Sequence, residues 1–446
     1  MKLEVQILNI QHIQRMVVDL DLDSCKLTCV VGRNGVGKTT LVKAMQNLQF
    51  ADTFAQTSPA SIFNEQSSLV YLTEDAEYKF YYEPSIRALN SKDIIPDSVK
   101  NNIDVELPMP HGQRFNFYQN IVLADLDIRR SIVLEHYECP QELIDMLNDI
   151  YATSRFDNLV EIKVKKTDYY CVLLDDSKYI REDYLSSGEF FLISLYRKIK
   201  RGAKLIVIDE IDISLDAAAQ TKLAAKLRGF CDIYRVNILF TTHSLPLMKT
   251  LNYGELFHLQ EVDGVVSPYP VSYNFIKSLL FGFEGWDKYI LTEDDVLQRF
   301  LEFIIARFCV GVFFKYKIIY IGGATNVVNL MCRNVAEEFL SSEKNVISVL
   351  DGDQVGQKHV VNFKNVHCIP LDSVEKKIYQ DYRAGVTELV DVVGDLQVND
   401  DKDMYKKLTG RKLMSEDQMF DYLCRVYHGE LSQFSEVLKV FLDDPV

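Results

Sequence analysis

The stretch that most constrains the fold is residues 27–42, LTCVVGRNGVGKTTLV, where an apolar run passes into a glycine-rich loop and then a helix-forming segment. The segment from Gly32 to Thr39 fits the pattern G-x-x-x-x-G-K-[ST]. Such a loop binds phosphate because its glycines let backbone N–H groups surround phosphate oxygens. The helix that follows adds the positive end of its dipole. The sequence therefore predicts a strand, a phosphate-binding loop and a helix, in this order.

The residue types in this loop also indicate a divalent cation beside the phosphates. Lys38 is expected to reach the β- and γ-phosphates of a nucleotide, and the Thr39 hydroxyl to coordinate Mg²⁺. An ordinary glycine-rich turn between a strand and a helix is the alternative. The residues expected to hold the nucleotide are Gly32, Asn34, Gly35, Gly37, Lys38, Thr39 and Thr40.

Length and composition indicate a folded chain of two or three domains. The chain has 446 residues, of which 48% are hydrophobic and 25% are charged; these are the proportions of a globular protein. The formal net charge is −15, so the surface as a whole repels nucleic acid. Any contact with DNA or RNA must use local basic runs such as 163–166 and 197–201, although such runs are more often solvated faces.

Cysteine usage and hydropathy predict a cytoplasmic protein with no membrane partner. The nine cysteines are scattered, and no second Cys/His pair completes a zinc pattern beside Cys25 and Cys29. Reduced thiols are therefore expected. The most apolar stretch, 303–314, is too short to span a bilayer and contains Arg307. The N-terminus shows no export signal.

Four further motifs follow the loop in the first half of the chain. The stretch 185–189, LSSGE, opens an apolar helix, and the buried run 204–210 ends in two acids. The tripeptide 214–216, SLD, comes next, and a second apolar strand then ends at His243. Each motif alone has an ordinary interpretation as a helix cap, a strand end or a loop histidine. The ordered set of five is far more specific.

This set resembles an ATP-binding-cassette (ABC) ATPase domain over about residues 1–270. The resemblance leaves the Q-loop unplaced, with Gln66 as a candidate. By this resemblance Gly32–Thr39 is Walker A, Leu185–Glu189 the signature, Asp209-Glu210 Walker B, Ser214–Asp216 the D-loop and His243 the switch histidine.

The ABC resemblance implies both chemistry and assembly. It places Asp209 in the Mg²⁺ shell of ATP, Glu210 beside the attacking water and His243 at the γ-phosphate. It also implies that Ser187 and Gly188 bind the γ-phosphate of a second copy across an interface. One Walker A and one signature per chain then require a homodimer or a higher homo-oligomer.

The second half of the chain alternates strands and helices from residue 289, after an expected linker at 273–288. The alternation predicts a parallel sheet with covering helices, and ligands of such sheets bind at the carboxyl ends of the strands. Acids stand at those ends. They are Glu293 after the first strand, Asp351 and Asp353 after the third, and Glu375 at a helix start after the fourth.

Four converging carboxylates would repel one another unless cations neutralise them. Mg²⁺ or Mn²⁺ suits oxygen ligands, so we predict a metal site at this edge. The alternative is that strand ends are polar and that Asp-Gly-Asp is a turn.

The arrangement Glu293…Gly322-Gly323…Asp351-Gly-Asp353 resembles a Toprim domain. With the ABC half, the whole chain resembles the OLD (overcoming lysogenization defect) family of ATP-dependent endonucleases, whose relatives include the Gabija nuclease and retron effectors. Toprim domains commonly follow the first Glu with Gly, whereas Asp294 stands here. The family also places a basic residue near its metals; the candidates are Lys358, Lys376 and Lys412, of which Lys412 is favoured.

The expected fold is therefore α/β: an ABC-type P-loop ATPase domain (1–272) with an insert at about 50–180, a linker (273–288), a Toprim domain (289–385) and a small helical C-terminal element (386–446). The OLD resemblance implies an ATP-controlled DNA endonuclease that uses Mg²⁺ or Mn²⁺. It further implies a role in antiphage defence and, for the retron type, a reverse transcriptase and a small RNA–DNA hybrid as partners. An SMC- or RecF-like ATPase clamp without nuclease activity is the alternative, and a transporter ATPase is weaker still.

Overall fold

The computed structural model describes residues 2–108, 114–175, 178–282, 285–361, 363–394 and 396–445, with only the backbone described at 114–116 and 359. The chain divides after Tyr273 into two compact units, here called the N-terminal unit and the C-terminal unit. No helix among these residues is long and apolar enough to cross a membrane.

Two sheets form the framework of the N-terminal unit. An eleven-stranded mixed sheet has the order β6-β5-β4-β1-β2-β14-β13-β3-β12-β11-β7, and β10-β9-β8 form a separate antiparallel sheet. The strands are β1 (Lys2–Ile10), β2 (Ile13–Asp21), β3 (Leu27–Val31), β4 (Phe63–Thr73), β5 (Glu77–Glu83), β6 (Ala88–Asn90), β7 (Ile103–Glu106), β8 (Leu159–Val164), β9 (Thr167–Leu173), β10 (Tyr179–Arg181), β11 (Leu205–Ile208), β12 (Asn237–Thr241), β13 (Leu256–Val262) and β14 (Val265–Pro270).

The site-bearing part of the large sheet is parallel. Strands β3, β12, β11 and β7 pair in parallel, and every residue of β11 and β12 is buried. Apolar runs without alternation are what a strand covered on both faces requires. Their carboxyl ends therefore meet at one edge. At the N-terminus β1 and β2 pair antiparallel.

Helices cover the large sheet and build a lobe around the small one. In the lobe, α4 packs on β8 and β9 through a core that includes Ile121, Ile128, Ile162 and Cys171. Only part of the expected insert is separate, because β4–β6 extend the large sheet and β7 joins its parallel part. The helices are α1 (Lys38–Asn47), α2 (Thr53–Thr57), α3 (Asp97–Lys100), α4 (Arg114–Val133), α5 (Gln141–Tyr151), α6 (Ser187–Lys200), α7 (Ala217–Tyr234) and α8 (Leu245–Lys249).

The C-terminal unit contains the parallel sheet that its alternation predicts, in the order β16-β15-β17-β18. A helix, α9 (Tyr273–Phe281), occupies the first half of the expected linker. The strands are β15 (Lys288–Thr292), β16 (Tyr316–Tyr320), β17 (Val346–Leu350) and β18 (Val366–Cys368).

Two apolar cores lie on the faces of this sheet. On one face α10 and the C-terminal helices share a core that includes Phe300, Leu423 and Leu438, so residues 386–446 pack on the same core as the sheet. On the other face Val327 and Met331 of α11 pack against the strands. The helices are α10 (Asp295–Phe308), α11 (Ala324–Glu337), α12 (Lys358–Val361), α13 (Val374–Arg383), α14 (Thr387–Val393), α15 (Asp401–Gly410), α16 (Glu416–Val426) and α17 (His428–Asp443).

Candidate functional site

The glycine-rich loop runs from the end of β3 to the start of α1, as the sequence predicts. Gly35 and Gly37 have φ angles of 84° and 110°, a region that L side chains rarely adopt. A Cβ atom on Gly37 would also lie 2.7 Å from Ile13 Cδ1 and 2.9 Å from Met16 Cε. Both the turn and the close approach of β2 therefore require glycine at Gly37.

Lys38 is held over this loop. Its side chain is buried, and Nζ donates hydrogen bonds to the backbone oxygens of Gly32 (2.8 Å) and Arg33 (3.2 Å). Burial lowers the pKa of Lys38, while the negative charges of Asp209 and Glu210 oppose that shift. The loop thus carries a fixed positive charge beside the first turn of a helix, and this arrangement favours a bound anion.

Asp209 follows β11 and is buried at the carboxyl edge of the parallel strands. Its Oδ1 accepts a hydrogen bond from Thr241 Oγ1 (2.6 Å). Its Oδ2 is buried and has no hydrogen-bond partner among the described residues. A buried carboxylate oxygen without a partner is costly, and coordination to a cation would satisfy it. Asp209 therefore fits the Mg²⁺ role that the ABC resemblance implies, and Thr39, exposed at the start of α1, carries a hydroxyl of the kind that role requires.

Glu210 has a φ angle of 55°, which is uncommon for a residue other than glycine. Its N–H donates to Thr241 Oγ1 (2.8 Å), so one threonine fixes both acids of this pair. Backbone held in a sparsely populated region often marks a functional site. Sequence reasoning missed Thr241; the only signal was its position at the end of β12, two residues before His243.

Hydrogen bonds through Gln220 join the D-loop to the segment that carries the switch histidine. Gln220 Nε2 donates to Leu215 O (2.7 Å), and Gln220 Oε1 accepts from Ser244 Oγ (2.5 Å). Asp216 caps α7 by accepting from the backbone N–H of Ala219. His243 itself is exposed. The imidazole of His243 is therefore exposed to solvent, while the hydrogen bond of the adjacent Ser244 holds the backbone in place.

The signature stretch opens α6 with a capping box between Ser186 and Glu189. Ser187 is exposed, whereas Gly188 is buried against the D-loop and α5. A Cβ atom on Gly188 would lie 2.5 Å from Ser214 O and 2.8 Å from the Tyr151 hydroxyl. Glycine is required here by packing, and Ser187 is the exposed residue of the first turn.

The structure does not bring Gln66 to this edge. Gln66 is an exposed residue of β4, in the antiparallel part of the sheet and five positions from β3 in the strand order. The strand next to β11 is instead β7, which ends at Glu106. The residues around Gln66 favour a strand, but strand propensity does not say where in the sheet that strand lies. The sequence therefore could not show which strand borders Walker B.

A cavity of about 290 Å³ lies beside Walker B in the N-terminal unit. Its lining combines aromatic side chains of α6 with the two Walker B acids and several cations of α6. The lining includes Phe190, Phe191, Asp209, Glu210, Thr167, Arg197, Lys198 and Arg201.

The second group of acids lies in the C-terminal unit, at the carboxyl ends of β15 and β17. Glu293 Oε1 accepts a hydrogen bond from the backbone N–H of Asp351 (3.0 Å). Glu293 also accepts from the N–H of Ala324, the first residue of α11. Burial raises the pKa of Glu293, and the charges of Asp353 and Asp294 add to the shift.

Asp351 is the acid on which four neighbouring carboxylates act. Burial raises its pKa to about 8, with further contributions from Glu293, Asp294, Glu375 and Asp353. Burial raises the pKa of Glu375 as well. Burial is the main cause of these shifts, and the negative charges of neighbouring carboxylates add to them.

Asp353 differs because a lysine reaches it. Burial raises the pKa of Asp353, but hydrogen bonds from Lys376 and Gln354 outweigh burial and hold it below its usual value. The Lys376 ammonium pairs directly with the carboxylate. Among the candidate basic residues, Lys376 therefore lies at the acids. Lys412 is an exposed residue after α15, and the cation that acts on Glu375 is Lys402.

The structure accounts for Asp294, which departs from the Toprim pattern. Asp294 is the N-cap of α10, and its Oδ1 accepts from the N–H of Leu297 (2.8 Å). Its charge also acts on Glu293, Asp351 and Glu375. Asp294 therefore caps α10 and is a fifth acidic residue in the group.

The Asp-Gly-Asp sequence is more than a surface turn. A Cβ atom on Gly352 would lie 2.7 Å from Ile369 O and still closer to Leu371 O. Both obstacles are backbone atoms, so the turn is packed tightly against the segment after β18. This packing fixes the backbone between Asp351 and Asp353.

The donor set suits Mg²⁺ or Mn²⁺ in its chemistry, because every candidate ligand is a carboxylate oxygen. As the side chains stand, no group of three or more His, Cys, Asp or Glu residues in the described part of the chain is placed to hold a metal ion. Lys376, which holds the Asp353 carboxylate, occupies one arm of the set. A cation would therefore have to displace this lysine to engage all four acids.

Comparisons with known proteins agree with the Walker motifs. No family model matches the chain. The chain is 23% identical over 237 residues to the nisin transport ATP-binding protein NisT of Lactococcus lactis and 23% identical over 232 residues to the phosphonates import ATP-binding protein PhnC of Thiobacillus denitrificans. These matches span 53% and 52% of the chain, but only 32% of the first relative and 72% of the second.

Solved structures with some likeness include an SMC head domain from Thermotoga maritima, with 15% identity and a TM-score of 0.35 over 61% of this chain and the whole of that one. Another is an SMC head bound to the C-terminal winged-helix domain of ScpA, with 13% identity and a TM-score of 0.41 over 60% of this chain and 97% of that one. In agreement with the Walker motifs, the chain is similar to the ABC-type ATP-binding proteins NisT and PhnC over about half of its length.

Proposed function

We propose that the chain is an ATPase that controls a metal-dependent DNA endonuclease carried in its own C-terminal unit. The observation that carries the ATPase part is the buried Oδ2 of Asp209, which has no hydrogen-bond partner in the described part of the chain and lies at the same sheet edge as the lysine-bearing loop. The loop follows β3 and Asp209 follows β11, two parallel strands that both pair with β12. A phosphate cradle and a cation ligand at one edge of a parallel sheet are what binding of Mg²⁺–ATP requires.

The residues of this site take distinct roles in hydrolysis. The loop backbone and Lys38 bind the β- and γ-phosphates, while Thr39 and Asp209 hold Mg²⁺, which neutralises charge on the phosphate oxygens. Glu210 orients and polarises the attacking water. His243, exposed on its tied segment, contacts the γ-phosphate.

The exposed Ser187 at the start of α6 supports assembly from two copies. Ser187 and Gly188 bind the γ-phosphate of the partner, so a symmetric dimer encloses two nucleotides. The Glu210→Gln variant should bind ATP, fail to hydrolyse it and elute as an ATP-dependent dimer by size-exclusion chromatography with light scattering. Lys38→Ala should stay in its nucleotide-free state. Equal masses for Glu210→Gln with and without ATP would contradict this assembly.

The carboxylate group in the C-terminal unit supports the nuclease part. Glu293, Asp351, Asp353 and Glu375 would hold Mg²⁺ or Mn²⁺, which supplies an activated water and stabilises the leaving oxygen. The chain's own residues position this centre through the bond from Asp351 N–H to Glu293. Lys376, freed from Asp353, is placed to offset charge on the phosphate; the role of Lys412 remains a prediction from the family.

Cleavage assays test the nuclease part. Supercoiled plasmid and linear DNA are incubated with Mg²⁺ or Mn²⁺ at several ATP concentrations. Asp351→Ala combined with Asp353→Ala should abolish cleavage, whereas Lys38→Ala should change only its dependence on ATP. Cleavage that survives in the double variant would overturn the assignment.

The alternative is an ATPase clamp of the SMC or RecF kind that binds DNA without cutting it. A degenerate nuclease centre would have lost acids, and none of the four is missing here. Tight ATP-dependent DNA binding with no cleavage under any metal condition would favour the clamp.

The proposed biological role follows from the OLD resemblance. We propose that the protein is an effector of antiphage defence. If it belongs to a retron, its partners are a reverse transcriptase and a small RNA–DNA hybrid. Co-purification of the tagged chain without nucleic acid or a second protein would contradict the retron arrangement.

A further inference from the structure

Two basic runs of the sequence lie in the same lobe of the N-terminal unit. The first, 163–166, forms the end of β8 and the tip of the β8–β9 hairpin. The second, 197–201, forms the last turn of α6 and the residue after it. The runs are more than thirty residues apart in sequence, so only the fold can bring them together.

Direct contacts show that the hairpin packs along the C-terminal half of α6. Lys200 Nζ lies 3.5 Å from Glu161 Oε2 of β8, and Arg197 Nε donates to the backbone oxygen of Asp168 on β9 (3.1 Å). Thr167 at the start of β9 and Arg201 after α6 line the same cavity. The ends of the two runs are therefore neighbours.

Strand alternation assigns the face on which the hairpin lysine lies. Ile162 is buried in the core against α4, whereas Glu161 on the opposite face reaches Lys200. Because side chains two residues apart share a face, Lys163 lies on the face of Glu161 and Lys200. Lys165 and Lys166 form the turn of the same hairpin. We call the five cations at this end of the lobe the lobe cation patch: Lys163, Lys165, Lys166, Lys200 and Arg201.

Four members of the patch are exposed cations without an ion-pair partner among the described residues. Only Lys200 is paired, with Glu161. The end of α6 explains Lys200 and Arg201 in part, since cations there offset the helix dipole. The hairpin lysines have no such role. Their acidic neighbours are Asp168, opposite Lys163 in the strand register, and Glu138, which bridges to Glu161.

The chemistry of the patch favours phosphate over a protein surface. No large hydrophobic side chain of β8, β9 or α6 is among the highly exposed ones in the described part of the chain. Protein interfaces are anchored by buried apolar and aromatic side chains, whereas a phosphodiester backbone is bound by clustered Lys and Arg. The formal charge of the whole chain is −15, so the concentration of cations here is local.

We propose that the lobe cation patch binds the phosphodiester backbone of duplex DNA. The inference rests on the proposed function for DNA as the ligand, but not on cleavage. It assigns DNA binding to a surface of the N-terminal unit that contains none of the Walker, signature or carboxylate residues.

Fluorescence anisotropy of a labelled mixed-sequence duplex tests the proposal. The buffer contains EDTA and no nucleotide, so that neither cleavage nor ATP contributes. The variant Lys163→Glu, Lys165→Glu, Lys166→Glu is compared with Lys92→Glu, Lys249→Glu, Lys439→Glu, which changes the net charge equally at exposed lysines elsewhere. The hairpin variant should bind at least about tenfold more weakly than the control variant. Its plot of log K against log salt should be shallower by roughly 2 to 3 units, since each lost phosphate contact removes about 0.9.

Several outcomes would overturn the proposal. Equal affinity of the two charge-reversal variants for DNA would contradict it, and so would a wild-type chain that binds polyglutamate but not the duplex, which would indicate an acidic protein partner. If the Glu variant unfolds by circular dichroism, the Gln series Lys163→Gln, Lys165→Gln, Lys166→Gln must show the shallower salt slope. Patch-dependent binding without any cleavage would contradict the nuclease while leaving the patch intact.

Discussion

The two candidate sites both stand at the carboxyl ends of parallel strands, yet their electrostatics are opposite. In the N-terminal unit the buried Lys38 donates a hydrogen bond to the glycine loop at the start of α1. At the same sheet edge, the Asp209 Oδ2 atom is buried without a hydrogen-bond partner among the described residues. In the C-terminal unit, Glu293, Asp351 and Glu375 all have raised pKa values.

This difference teaches what each site lacks. The N-terminal site combines a buried lysine with a carboxylate oxygen that has no hydrogen-bond partner among the described residues, so we expect it to bind an anion and a cation together, as Mg²⁺–ATP supplies. In the C-terminal site burial and neighbouring acids disfavour ionised carboxylates, so we expect it to bind cations, which favour the ionised forms. The carboxyl edge of a parallel sheet therefore suits a nucleotide in one unit and metal ions in the other.

The largest expected effect breaks only the N-terminal side of the comparison. Glu210→Gln should lower the rate of ATP hydrolysis by at least about 10²-fold, because a general base typically contributes that much or more. Phosphate release measures the rate. Glu261→Gln, an exposed acid on β13, is the matched control and should hydrolyse ATP like the wild type. Equal rates in the two variants would remove Glu210 from the chemistry.

The next effect concerns the backbone of the C-terminal site. Gly352→Ala should lower the free energy of unfolding of the C-terminal unit by about 3 kcal/mol, because the new methyl group meets rigid backbone oxygens. Urea denaturation measures it. Gly410→Ala, where an added Cβ meets nothing within 4 Å, should leave stability unchanged or slightly raised. A neutral Gly352→Ala would mean that the Asp-Gly-Asp turn is not tightly held.

The pH dependence of stability should separate the two sites. The folded pKa of Asp351 is about 8, above its unfolded value, so the folded state binds the extra proton between roughly pH 4 and pH 8. Stability of the metal-free protein should therefore fall as pH rises through this window. The slope from this group is at most ~1.4 kcal/mol per pH unit.

Asp351→Asn should flatten that slope, and saturating Mn²⁺ should flatten it in the wild type because the cation replaces the proton. Urea titrations at several pH values measure both effects. If Asp351→Asn leaves the pH dependence of stability unchanged, then the raised pKa of Asp351 is not its cause.

The smallest effect refines the role of Asp294. Asp294→Asn should keep the cap on α10, since Asn caps as well as Asp, whereas Asp294→Ala should cost about 1 kcal/mol of stability. Both variants remove the charge and should lower the pKa of Asp351. If Asp294→Asn destabilises as much as Asp294→Ala, then charge rather than capping sets the contribution of this residue to stability.

The sequence was most informative where local chemistry fixes structure. The glycine loop at Gly35 and Gly37, the buried strand before Asp209 and the parallel sheet of the C-terminal unit could all be predicted, because each depends on a short pattern. The matches to NisT and PhnC support the ABC-type resemblance, whereas the Toprim and OLD resemblance stays a prediction.

What could not be predicted depends on long-range packing. Gln66 was a candidate only by residue type, and no local pattern states that β7 rather than β4 borders β11. Thr241 acts through tertiary contacts with Asp209 and Glu210. The partnership of Asp353 with Lys376 joins residues 23 positions apart. The shared core of 386–446 with the sheet likewise arises from side chains distant in sequence.

One measurement tests the central contrast most directly: the number of Mn²⁺ ions bound per chain without nucleotide, followed by electron paramagnetic resonance. We predict binding by the wild type and by Lys38→Ala, and its loss when Asp351→Asn and Asp353→Asn are combined. Binding that persists in the combined variant, or that disappears in Lys38→Ala, would contradict a cation site at the carboxylates of the C-terminal unit.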